Sequence, residues 1–342
     1  MYQELEWIDL IAPDMVEIMS RRFSILRNIS WAQPVGRRLL AQTLGVSERV
    51  LRTETDFLKK QELIAVTKSG MILTSKGQAA IQGLAHLMDH LLGLQQMEAR
   101  LAERLGIARC LIVAGDSDLQ PQVVNDMGNV VNATLQALLP EGENIIAVMG
   151  GTTMAAIAKR LTSAISVNRH LTFVPARGGI GERIDIQANN VSAQMAENVG
   201  GNHRALYVPE QVSESTYQPL LKEPAVQTVV SMIKRSNAVI HSIGSAISMA
   251  QRREMSPKDV EMLRDKQAVS EAFGYFFDED GQIVYKIPRI GLQLEDLAGM
   301  DCVLAVAGGA SKAKAIAAYM KHAPRHTYLV TDQGAAQQIL NE

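Results

Sequence analysis

The sequence predicts a small α+β domain of the winged helix-turn-helix class, followed by a large α/β doubly wound, Rossmann-like domain. Its 342 residues suffice for two such domains. A basic N-terminal segment carries three short amphipathic helix patterns and a hairpin pattern, and the remainder alternates apolar, β-branched runs with helical stretches. We expect the first domain to span 1–80, a helical connector 81–106 and the large domain 107–342.

The charge is distributed unevenly along the chain. The formal net charge of the whole chain is −2, but the segment from Ser20 to Ala80 contains 11 basic and 4 acidic residues, about +7. The 23 basic and 32 acidic residues outside that segment give the remainder a charge of about −9. A basic segment on an otherwise acidic chain predicts local contact with nucleic acid.

The basic segment is predicted to form three helices. The first is broken by the Pro-Val-Gly sequence at 34–36, and its apolar face consists of Phe23, Ile25, Leu26 and Ile29. The second ends at Gly45, and its apolar residues are Leu39, Leu40 and Leu44. Ser47 fits the N-cap of the third helix, because its hydroxyl can accept a hydrogen bond from the first turn. The predicted buried stripe of that helix is Val50, Leu51, Phe57 and Leu58.

The second and third helices, joined by a turn at Gly45, have the spacing of a helix-turn-helix, whose second helix reads the major groove. The polar face of the third helix consists of Glu48, Arg49, Arg52, Thr53 and Asp56. Two alternating runs around Ser69-Gly70 predict a β-hairpin wing. We expect Arg49 and Arg52 to reach guanine or phosphate. The full predicted DNA-binding set is Arg37, Arg38, Ser47, Arg49, Arg52, Thr53 and Lys68. The alternative is a structural module with a solvated basic face.

The connector is predicted to be one long helix with a leucine stripe. The stripe consists of Leu84, Leu87, Leu91, Leu94, Leu101 and Leu105, with Glu98 interrupting one position of the seam. It could mediate self-association or pack on the large domain, and the sequence leaves both open. His86 and His90 have a spacing that could serve a metal, but without a further ligand motif exposed histidines are expected.

Seven apolar runs in the large domain are predicted to be strands of a mainly parallel sheet with helices on both faces. The runs are 110–115, 145–150, 171–176, 205–209, 238–244, 302–309 and 327–332. Helical patterns between them include Val123 to Leu138, Met154 to Leu161 and Lys312 to Lys321. Ligands of such folds bind beyond the carboxyl ends of the strands.

Three predicted strands end in glycine-rich segments at 150–153, 177–182 and 308–312. Glycine allows close approach of the backbone, and amides, hydroxyls and basic side chains bind anions. None of the segments matches the phosphate loop of nucleoside triphosphatases or the dinucleotide fingerprint. Each one alone could be an ordinary tight turn, but together they predict a phosphate site. The separate cations Arg177 and Lys312 suit a ligand with two phosphates.

Such a sheet would also suit a sugar-phosphate isomerase or deaminase, which needs a general base. The candidate bases are Asp116, Asp118, Glu182, Asp185 and Glu271. No nucleophile elbow, metal set or Ser-His-Asp arrangement is recognisable, and the attached DNA-binding pattern favours a sensor. Turnover of a sugar phosphate would favour the enzyme instead.

Cysteine usage and hydropathy indicate the compartment. Cys110 and Cys302 each open an apolar run and are expected to be free buried thiols. No apolar run reaches the ~18 to 20 residues of a membrane span, and the acidic N-terminus lacks the features of a signal peptide. We expect a cytoplasmic protein without a membrane segment, metal or cofactor.

The chain resembles the SorC family of bacterial transcriptional regulators. The similarity rests on the segment from Gly36 to Ile64 and on the motifs GDSD, GGTT, VPARGGIGE, AQRR, AVSEAFGYFF and AVAGGASKAKAI. It implies a winged-helix domain and an effector domain that is related to sugar-phosphate isomerases but has lost catalysis. It also implies repression of a glycolytic operon centred on glyceraldehyde-3-phosphate dehydrogenase, induction by fructose-1,6-bisphosphate, and dimers to tetramers on operator DNA.

The resemblance also implies roles for individual residues of the effector site. One phosphate would be held by Gly151, Thr152, Thr153 and Lys312, and the other would be surrounded by Arg177, Gly179, Gln187 and Arg252. Glu271 would accept hydrogen bonds from sugar hydroxyls, and the predicted set also includes Gly150, Gly178 and Gly309. Because Arg252 and Arg253 are adjacent, either one could be the residue that contacts the ligand.

Overall fold

A computed structural model describes residues 7, 10–44, 46–91, 93–179, 183–209 and 214–341 of the chain. Contacts divide the chain into two compact units, Met1–Gln96 and Met97–Glu342. The predicted turn residue Gly45 lies outside the described residues, as do Gly181 and Glu182 and the side chains of His86 and His90.

The first unit is the small α+β domain that the sequence predicts. Three helices come first: α1 (Pro13–Ala32), α2 (Arg37–Leu44) and α3 (Glu48–Lys60). Strands β1 (Ile64–Thr67) and β2 (Gly70–Leu73) then form an antiparallel hairpin, and helix α4 (Ser75–Leu91) follows. The order of helix, helix-turn-helix and two-stranded wing confirms the winged helix-turn-helix architecture.

The core of the first unit differs in part from the predicted apolar stripes. All four predicted residues of α1 are buried, as are Leu40, Leu51 and Leu58, but Leu39, Val50 and Phe57 are exposed. The predicted stripes of α2 and α3 were therefore partly wrong. Buried residues of α3 recur with helical spacing at Leu51, Glu54, Thr55 and Leu58.

Glu54 occupies a buried position on α3 because α1 supplies its counter-charges. Arg22 Nε lies 2.8 Å from Glu54 Oε2, and Arg21 NH1 lies 3.5 Å from Oε1. The Arg22 guanidinium also stacks 3.6 Å from the centre of the Phe57 ring, which explains how that ring remains near the surface. An apolar pattern cannot reveal a buried carboxylate that is paired across two helices.

The connector is not one long helix. Helix α4 begins at Ser75, and a second helix, α5 (Leu94–Leu105), starts after a break at Gly93, whose φ is +66°. Only glycine adopts this conformation without strain, so the leucine stripe is interrupted there. Glu98 of α5, which interrupts the predicted stripe, accepts the backbone N–H of Ile112 through its Oε1 at 2.8 Å.

The second unit is built on a parallel sheet of seven strands. In chain order the strands are β3 (Arg109–Val113), β4 (Gly142–Val148), β5 (Arg169–Pro175), β6 (Asn202–His203), β7 (Ala238–Ser242), β12 (Cys302–Val306) and β13 (Tyr328–Asp332). Their order across the sheet is β3-β13-β12-β7-β4-β5-β6. The chain therefore winds outward from β4 in one direction and outward from β7 in the other. This confirms the doubly wound α/β prediction.

The second unit contains nine further described α-helices, of which the first, second and eighth lie close to the helical patterns predicted at 123–138, 154–161 and 312–321. They are α6 (Val123–Leu138), α7 (Thr152–Ala158), α8 (Ala188–Val199), α9 (Glu214–Lys222), α10 (Pro224–Lys234), α11 (Ala246–Arg252), α12 (Pro257–Asp265), α13 (Ala313–Met320) and α14 (Gln333–Asn341). None of the helices in the described ranges is both long enough and apolar enough to cross a bilayer.

Two features of the second unit differ from the prediction. The run 205–209 is not a strand, because the side chain of Asn189 takes both backbone hydrogen bonds of Leu206, at 2.9 and 3.0 Å. Sequence reasoning also missed a four-stranded antiparallel sheet inserted between β7 and β12. Its strands are β8 (Gly244–Ser245), β9 (Ser270–Ala272), β10 (Tyr275–Phe277) and β11 (Ile283–Lys286).

Both cysteines are free and buried, as expected. Cys110 lies on β3 and Cys302 on β12. Burial raises the pKa of Cys110 to about 12 and that of Cys302 to about 11. Thiols with such high pKa values are poor nucleophiles at neutral pH, so both side chains act as small apolar core residues.

Asp332, at the end of β13, is fully buried and organises the loops at the carboxyl edge of the sheet. Its Oδ2 accepts the backbone N–H groups of Ser117 and Gly309, at 2.8 and 2.7 Å, and its Oδ1 accepts that of Ala335 at 2.9 Å. One carboxylate therefore joins the loops that follow β3 and β12 to the first turn of α14.

We predict that Asp332→Ala lowers the free energy of unfolding by about 3 kcal/mol or more, because three backbone N–H groups lose their acceptor. Chemical or thermal denaturation of the full chain measures this loss. The matched control is Asp265→Ala, an exposed carboxylate at the end of α12, for which we expect a change below about 0.5 kcal/mol. Equal stability of the two variants would contradict the role given to Asp332.

Candidate functional site

The carboxyl ends of four adjacent strands, β12, β7, β4 and β5, meet at one crevice of the second unit. The segments that follow these strands, together with α11 and β9, line a cavity of about 790 Å³ including its open mouth. The crevice lies where the winding direction of the sheet reverses, between β4 and β7. Doubly wound sheets bind their ligands at this position.

Eight of the twelve predicted effector residues line the cavity: Gly150, Gly151, Thr152, Thr153, Arg177, Arg252, Glu271 and Lys312. The other four, Gly178, Gly179, Gln187 and Gly309, are not among the lining residues. Gln187 immediately precedes α8, and Gly309 begins the turn that leads to α13. The structure thus brings together predicted residues from three strand ends and from two segments that lie between β7 and β12 in the chain.

Two glycines of these loops, Gly150 and Gly309, are required by contacts within the protein. A Cβ on Gly150 would lie 2.5 Å from the carbonyl oxygen of Ile186, and one on Gly309, at φ +98°, would lie 2.4 Å from Asp118 Oδ1. The backbone N–H of Gly151 donates to Ile186 O at 2.8 Å, and those of Gly178 and Gly179 also donate to carbonyls of the chain. These three amides are therefore already engaged within the protein.

The cavity is strongly cationic. Among the described residues that line it, Arg177, Arg252, Arg253 and Lys312 are cations and Glu271 is the one carboxylate. Burial lowers the pKa of Lys312, and the nearby Arg252 lowers it further, whereas Asp118 and Asp332 act in the opposite direction. Four cations around one carboxylate create a site for an anion, because a bound anion offsets their mutual repulsion.

The loop that carries Lys312 is held by carboxylates behind it. Asp118 Oδ2 accepts the N–H of Ser311 at 2.8 Å, Asp116 Oδ1 accepts that of Ala310 at 3.3 Å, and Asp332 accepts that of Gly309. The GDSD motif therefore fixes the position of Lys312. Asp116 and Asp118, two candidate general bases, serve as acceptors for backbone amides.

The remaining candidate bases have other environments. Asp185 forms an exposed ion pair with Arg183 at 2.6 Å, and this hydrogen bond lowers the pKa of its carboxyl. Glu182 lies outside the described residues. Glu271 is buried and pairs with Arg253 at 3.1 Å.

Sequence reasoning missed the contribution of the β7 end. Ser242, Ser245 and Ser248 line the cavity next to Arg252 and Arg253, and Phe273 lines it from the antiparallel sheet. A signal for the serines was present in the run at 238–244, which ends in glycine like the other three strand ends. Chain order alone does not show that β7 lies between β12 and β4, at the centre of the crevice.

Behind the crevice lies a buried aromatic cluster. His241 of β7 is fully buried, with its ring 4.7 Å from that of Phe273 and its Nε2 3.3 Å from the Tyr319 hydroxyl. Burial lowers the pKa of His241 to about 3, so its ring is neutral at physiological pH. The cluster is uncharged and lies behind the cationic residues that line the crevice.

The predicted DNA-binding residues lie on the surface of the first unit. Arg37 and Arg38 begin α2, Arg49 and Arg52 lie on α3, and Lys68 lies at the turn between β1 and β2; all five are exposed. Ser47 is the N-cap of α3 as predicted, since its Oγ accepts the Val50 N–H at 3.3 Å. The exposed Thr53 donates its hydroxyl hydrogen to the Arg49 carbonyl at 3.2 Å.

Within the described part of the chain, no group of three or more His, Cys, Asp or Glu side chains is arranged to hold a metal ion. The crevice itself is lined by guanidinium, ammonium, hydroxyl and carboxylate groups. Such groups bind phosphates and sugar hydroxyls through charge-assisted hydrogen bonds.

Two family models match the chain. The model described as "CggR N-terminal DNA binding domain" matches residues 18–88, and the one described as "Putative sugar-binding domain" matches residues 89–341. The Central glycolytic genes regulator of Bacillus subtilis (strain 168) is 45% identical over 332 residues, covering 97% of each chain. That of Priestia megaterium (strain DSM 319 / IMG 1521) is 42% identical over 97% of this chain and 96% of its own length.

Solved structures share the fold. A protein from Enterococcus faecalis, described as a "putative SorC family transcriptional regulator", matches with a TM-score of 0.69 and 57% identity over 72% of this chain and 99% of its own. The full-length sorbitol operon regulator SorC from Klebsiella pneumoniae matches in fold, with a TM-score of 0.62 and 14% identity over 94% of this chain and 99% of its own. The chain therefore belongs to the SorC family of bacterial transcriptional regulators and joins a DNA-binding domain to a sugar-binding domain.

Proposed function

We propose that this protein represses a glycolytic operon centred on glyceraldehyde-3-phosphate dehydrogenase and that fructose-1,6-bisphosphate is its inducer. The observation that carries the proposal is the cationic crevice of the sugar-binding domain, on a chain that also carries a DNA-binding domain. The relatives from Bacillus subtilis and Priestia megaterium, which match over nearly the whole chain, are called central glycolytic genes regulators.

The composition of the crevice supports a sugar bisphosphate as ligand. Its four cations can neutralise two phosphates, whereas a monophosphate would leave much of their repulsion in place. Lys312 and the hydroxyls of Thr152 and Thr153 suit one phosphate, and Arg177 and Arg252 suit the other. The carboxylate of Glu271 is an acceptor for hydroxyl hydrogens of the sugar.

The exposed residues of the first unit support operator binding. Arg49, Arg52 and Thr53 lie on the exposed face of α3, the helix that enters the major groove in helix-turn-helix proteins. Arg37, Arg38 and Lys68 suit phosphates at the two sides of that groove. As the family resemblance implies, we propose dimers that assemble to tetramers on the operator, within the cytoplasm.

The inducer would act by binding more tightly to an arrangement of the subunits whose helix-turn-helix units do not fit the spacing of the operator. The ligand would bridge the loops after β4, β5 and β12 and stabilise one arrangement of this sheet edge. Subunits in that arrangement would no longer present paired helix-turn-helix units at the operator spacing. The coupling is reciprocal, so operator DNA should weaken sugar binding by the same factor, about 5- to 150-fold.

We infer that the crevice senses the sugar phosphate and does not convert it. In support, Asp116 and Asp118 accept hydrogen bonds from backbone amides, and Asp185 pairs with Arg183. A general base needs an unobstructed approach to the proton it removes. Release of product from a sugar phosphate by the purified protein would favour the isomerase-like enzyme instead.

The central prediction concerns Lys312→Ala. This variant should bind operator DNA like the wild type but lose its response to fructose-1,6-bisphosphate, because Lys312 lies in the effector crevice and not in the first unit. Fluorescence anisotropy of a labelled promoter fragment, with and without millimolar sugar, measures both properties.

The wild type separates the possible outcomes of this measurement. Weaker or less cooperative DNA binding with the sugar supports the proposed inducer. Tight DNA binding that does not change with the sugar supports a transcriptional regulator but excludes fructose-1,6-bisphosphate as its inducer. The absence of specific DNA binding overturns the proposal. Equal loss of DNA binding and induction in Lys312→Ala would assign the crevice a structural role.

Arg49→Ala should weaken operator binding by about 1–3 kcal/mol and relax base preference at one position, because an exposed arginine on α3 is placed for guanine. Arg22→Ala is the contrasting variant. Its guanidinium pairs with Glu54 and stacks on Phe57, so it should lower the melting temperature while the folded protein keeps its DNA affinity. Operator titration and thermal unfolding together distinguish the two roles, and the opposite pattern would reverse the assignment.

The affinity for fructose-1,6-bisphosphate should fall in the alkaline range, at a lower pH than the ordinary lysine pKa of about 10.4 would require. Burial lowers the pKa of Lys312, and only its charged form binds phosphate, so affinity is complete below that lowered pKa and is lost above it. Calorimetric titration across this range measures the effect. Lys312→Arg, whose guanidinium stays charged, should show a flatter profile, and identical profiles would exclude Lys312 as the titrating group.

A further inference from the structure

Arg253 and Glu271 form a buried ion pair in the wall of the effector crevice. Their side chains are 3% and 5% exposed, and Arg253 NH2 lies 3.1 Å from Glu271 Oε1. The same oxygen accepts the backbone N–H of Gly274 at 2.7 Å. Within the residues that the structure describes, Oε2 accepts no hydrogen bond. Two donors therefore fix one carboxylate oxygen, and the other remains available to a ligand.

Arg252 and Arg253 differ in their surroundings although they are adjacent. Arg252 is the last residue of α11, is exposed, and lies near enough to Lys312 to influence it electrostatically. Arg253 caps α11 through its backbone N–H, which donates to Met249 O at 3.1 Å, and its side chain reaches β9. Both arginines line the crevice, but the Arg253 side chain is buried against Glu271, whereas Arg252 is exposed near Lys312.

We propose that Arg253 is a positioning residue that orients the Glu271 carboxylate toward the hydroxyl groups of the sugar, and so determines selectivity for a hydroxylated bisphosphate. This inference rests on the proposed function, since it concerns the same crevice. The residues that line the crevice would then have two roles. Lys312, Arg177 and Arg252 bind the phosphates, and Arg253 and Glu271 recognise the sugar that lies between the phosphates.

The pair has a physical reason to be present. A buried carboxylate close to two phosphates would be repelled by them, and a paired guanidinium offsets this repulsion. Fixing Oε1 also limits rotation of the carboxylate, so that Oε2 points along one direction. A hydrogen bond from a hydroxyl to such a charged acceptor contributes more to selectivity than one to a neutral group.

Two bisphosphates distinguish this role from phosphate binding. Fructose-1,6-bisphosphate carries hydroxyls, whereas 1,6-hexanediol bisphosphate has two phosphates on six carbons and no hydroxyl. Both would be titrated calorimetrically into the full-length wild type, Arg253→Met, Arg253→Lys, Glu271→Gln and the double variant Arg253→Met/Glu271→Gln. Arg235→Met, an exposed arginine after α10, is the matched control.

We expect Arg253→Met to weaken fructose-1,6-bisphosphate binding about 10- to 100-fold, since a charge-assisted hydrogen bond loses its geometry. Binding of the hydroxyl-free bisphosphate should change less than about threefold, and Arg253→Lys should restore part of the sugar affinity. Glu271→Gln should lower sugar affinity similarly, and the double variant should lose no more than either single variant, because the two residues act as a unit.

Equal loss of both ligands in Arg253→Met and no rescue by Arg253→Lys would overturn the inference and make Arg253 a phosphate ligand. Unchanged sugar affinity in Arg253→Met would overturn it as well. Where Arg253→Met fails to fold, Arg253→Lys and Glu271→Gln keep the selectivity test open. A wild type that does not bind fructose-1,6-bisphosphate would instead refute the proposed function, and the inference with it.

Discussion

The reversal of winding between β4 and β7 is the constraint on which the functional part of the structure depends. All seven strands of the large sheet are parallel, so their carboxyl ends lie along one edge. Loops after neighbouring strands normally close over one another, but at a reversal they diverge and leave a crevice. The glycine-rich end of β4, the serine-rich end of β7 and the lysine loop after β12 thereby come to face one cavity. Residues from 149 to 312 can form one site only because of this strand order.

Charges inside the protein divide between folding and recognition in both units. In the large unit, Asp116, Asp118 and Asp332 accept backbone amides and hold the loop that carries Lys312. In the small unit, Arg21 and Arg22 pair with Glu54 beneath the surface, while Arg49 and Lys68 extend into solvent. A buried charge with a partner stabilises or orients its surroundings. Several like charges around a cavity instead repel one another and raise the free energy of the unliganded protein, and a bound anion offsets this repulsion.

Much of the fold was predictable because hydrophobic period, cap residues and glycine positions are local properties of the chain. They predicted the three helices, the wing, most of the large-sheet strands and the Ser47 cap. The buried Glu54 and the antiparallel sheet at 244–286 were not predictable in this way, since each depends on partners distant in sequence. The same limit explains the missed serines after β7: their strand end looks ordinary until its neighbours in the sheet are known.

The sequence by itself determined the two-part organisation, the exposed basic residues of the first unit and the residue types that suit a phosphate ligand. Charge asymmetry, helix-turn-helix spacing and glycine-rich strand ends are all readable without coordinates. Only the tertiary structure decided which strand ends meet, that several glycine amides already have acceptors, and that Arg253 faces Glu271 while Arg252 lies near Lys312. The physical reason is that composition and periodicity describe what each segment can do alone. Which charges meet depends on strand order and on burial, which arise only when distant segments pack together.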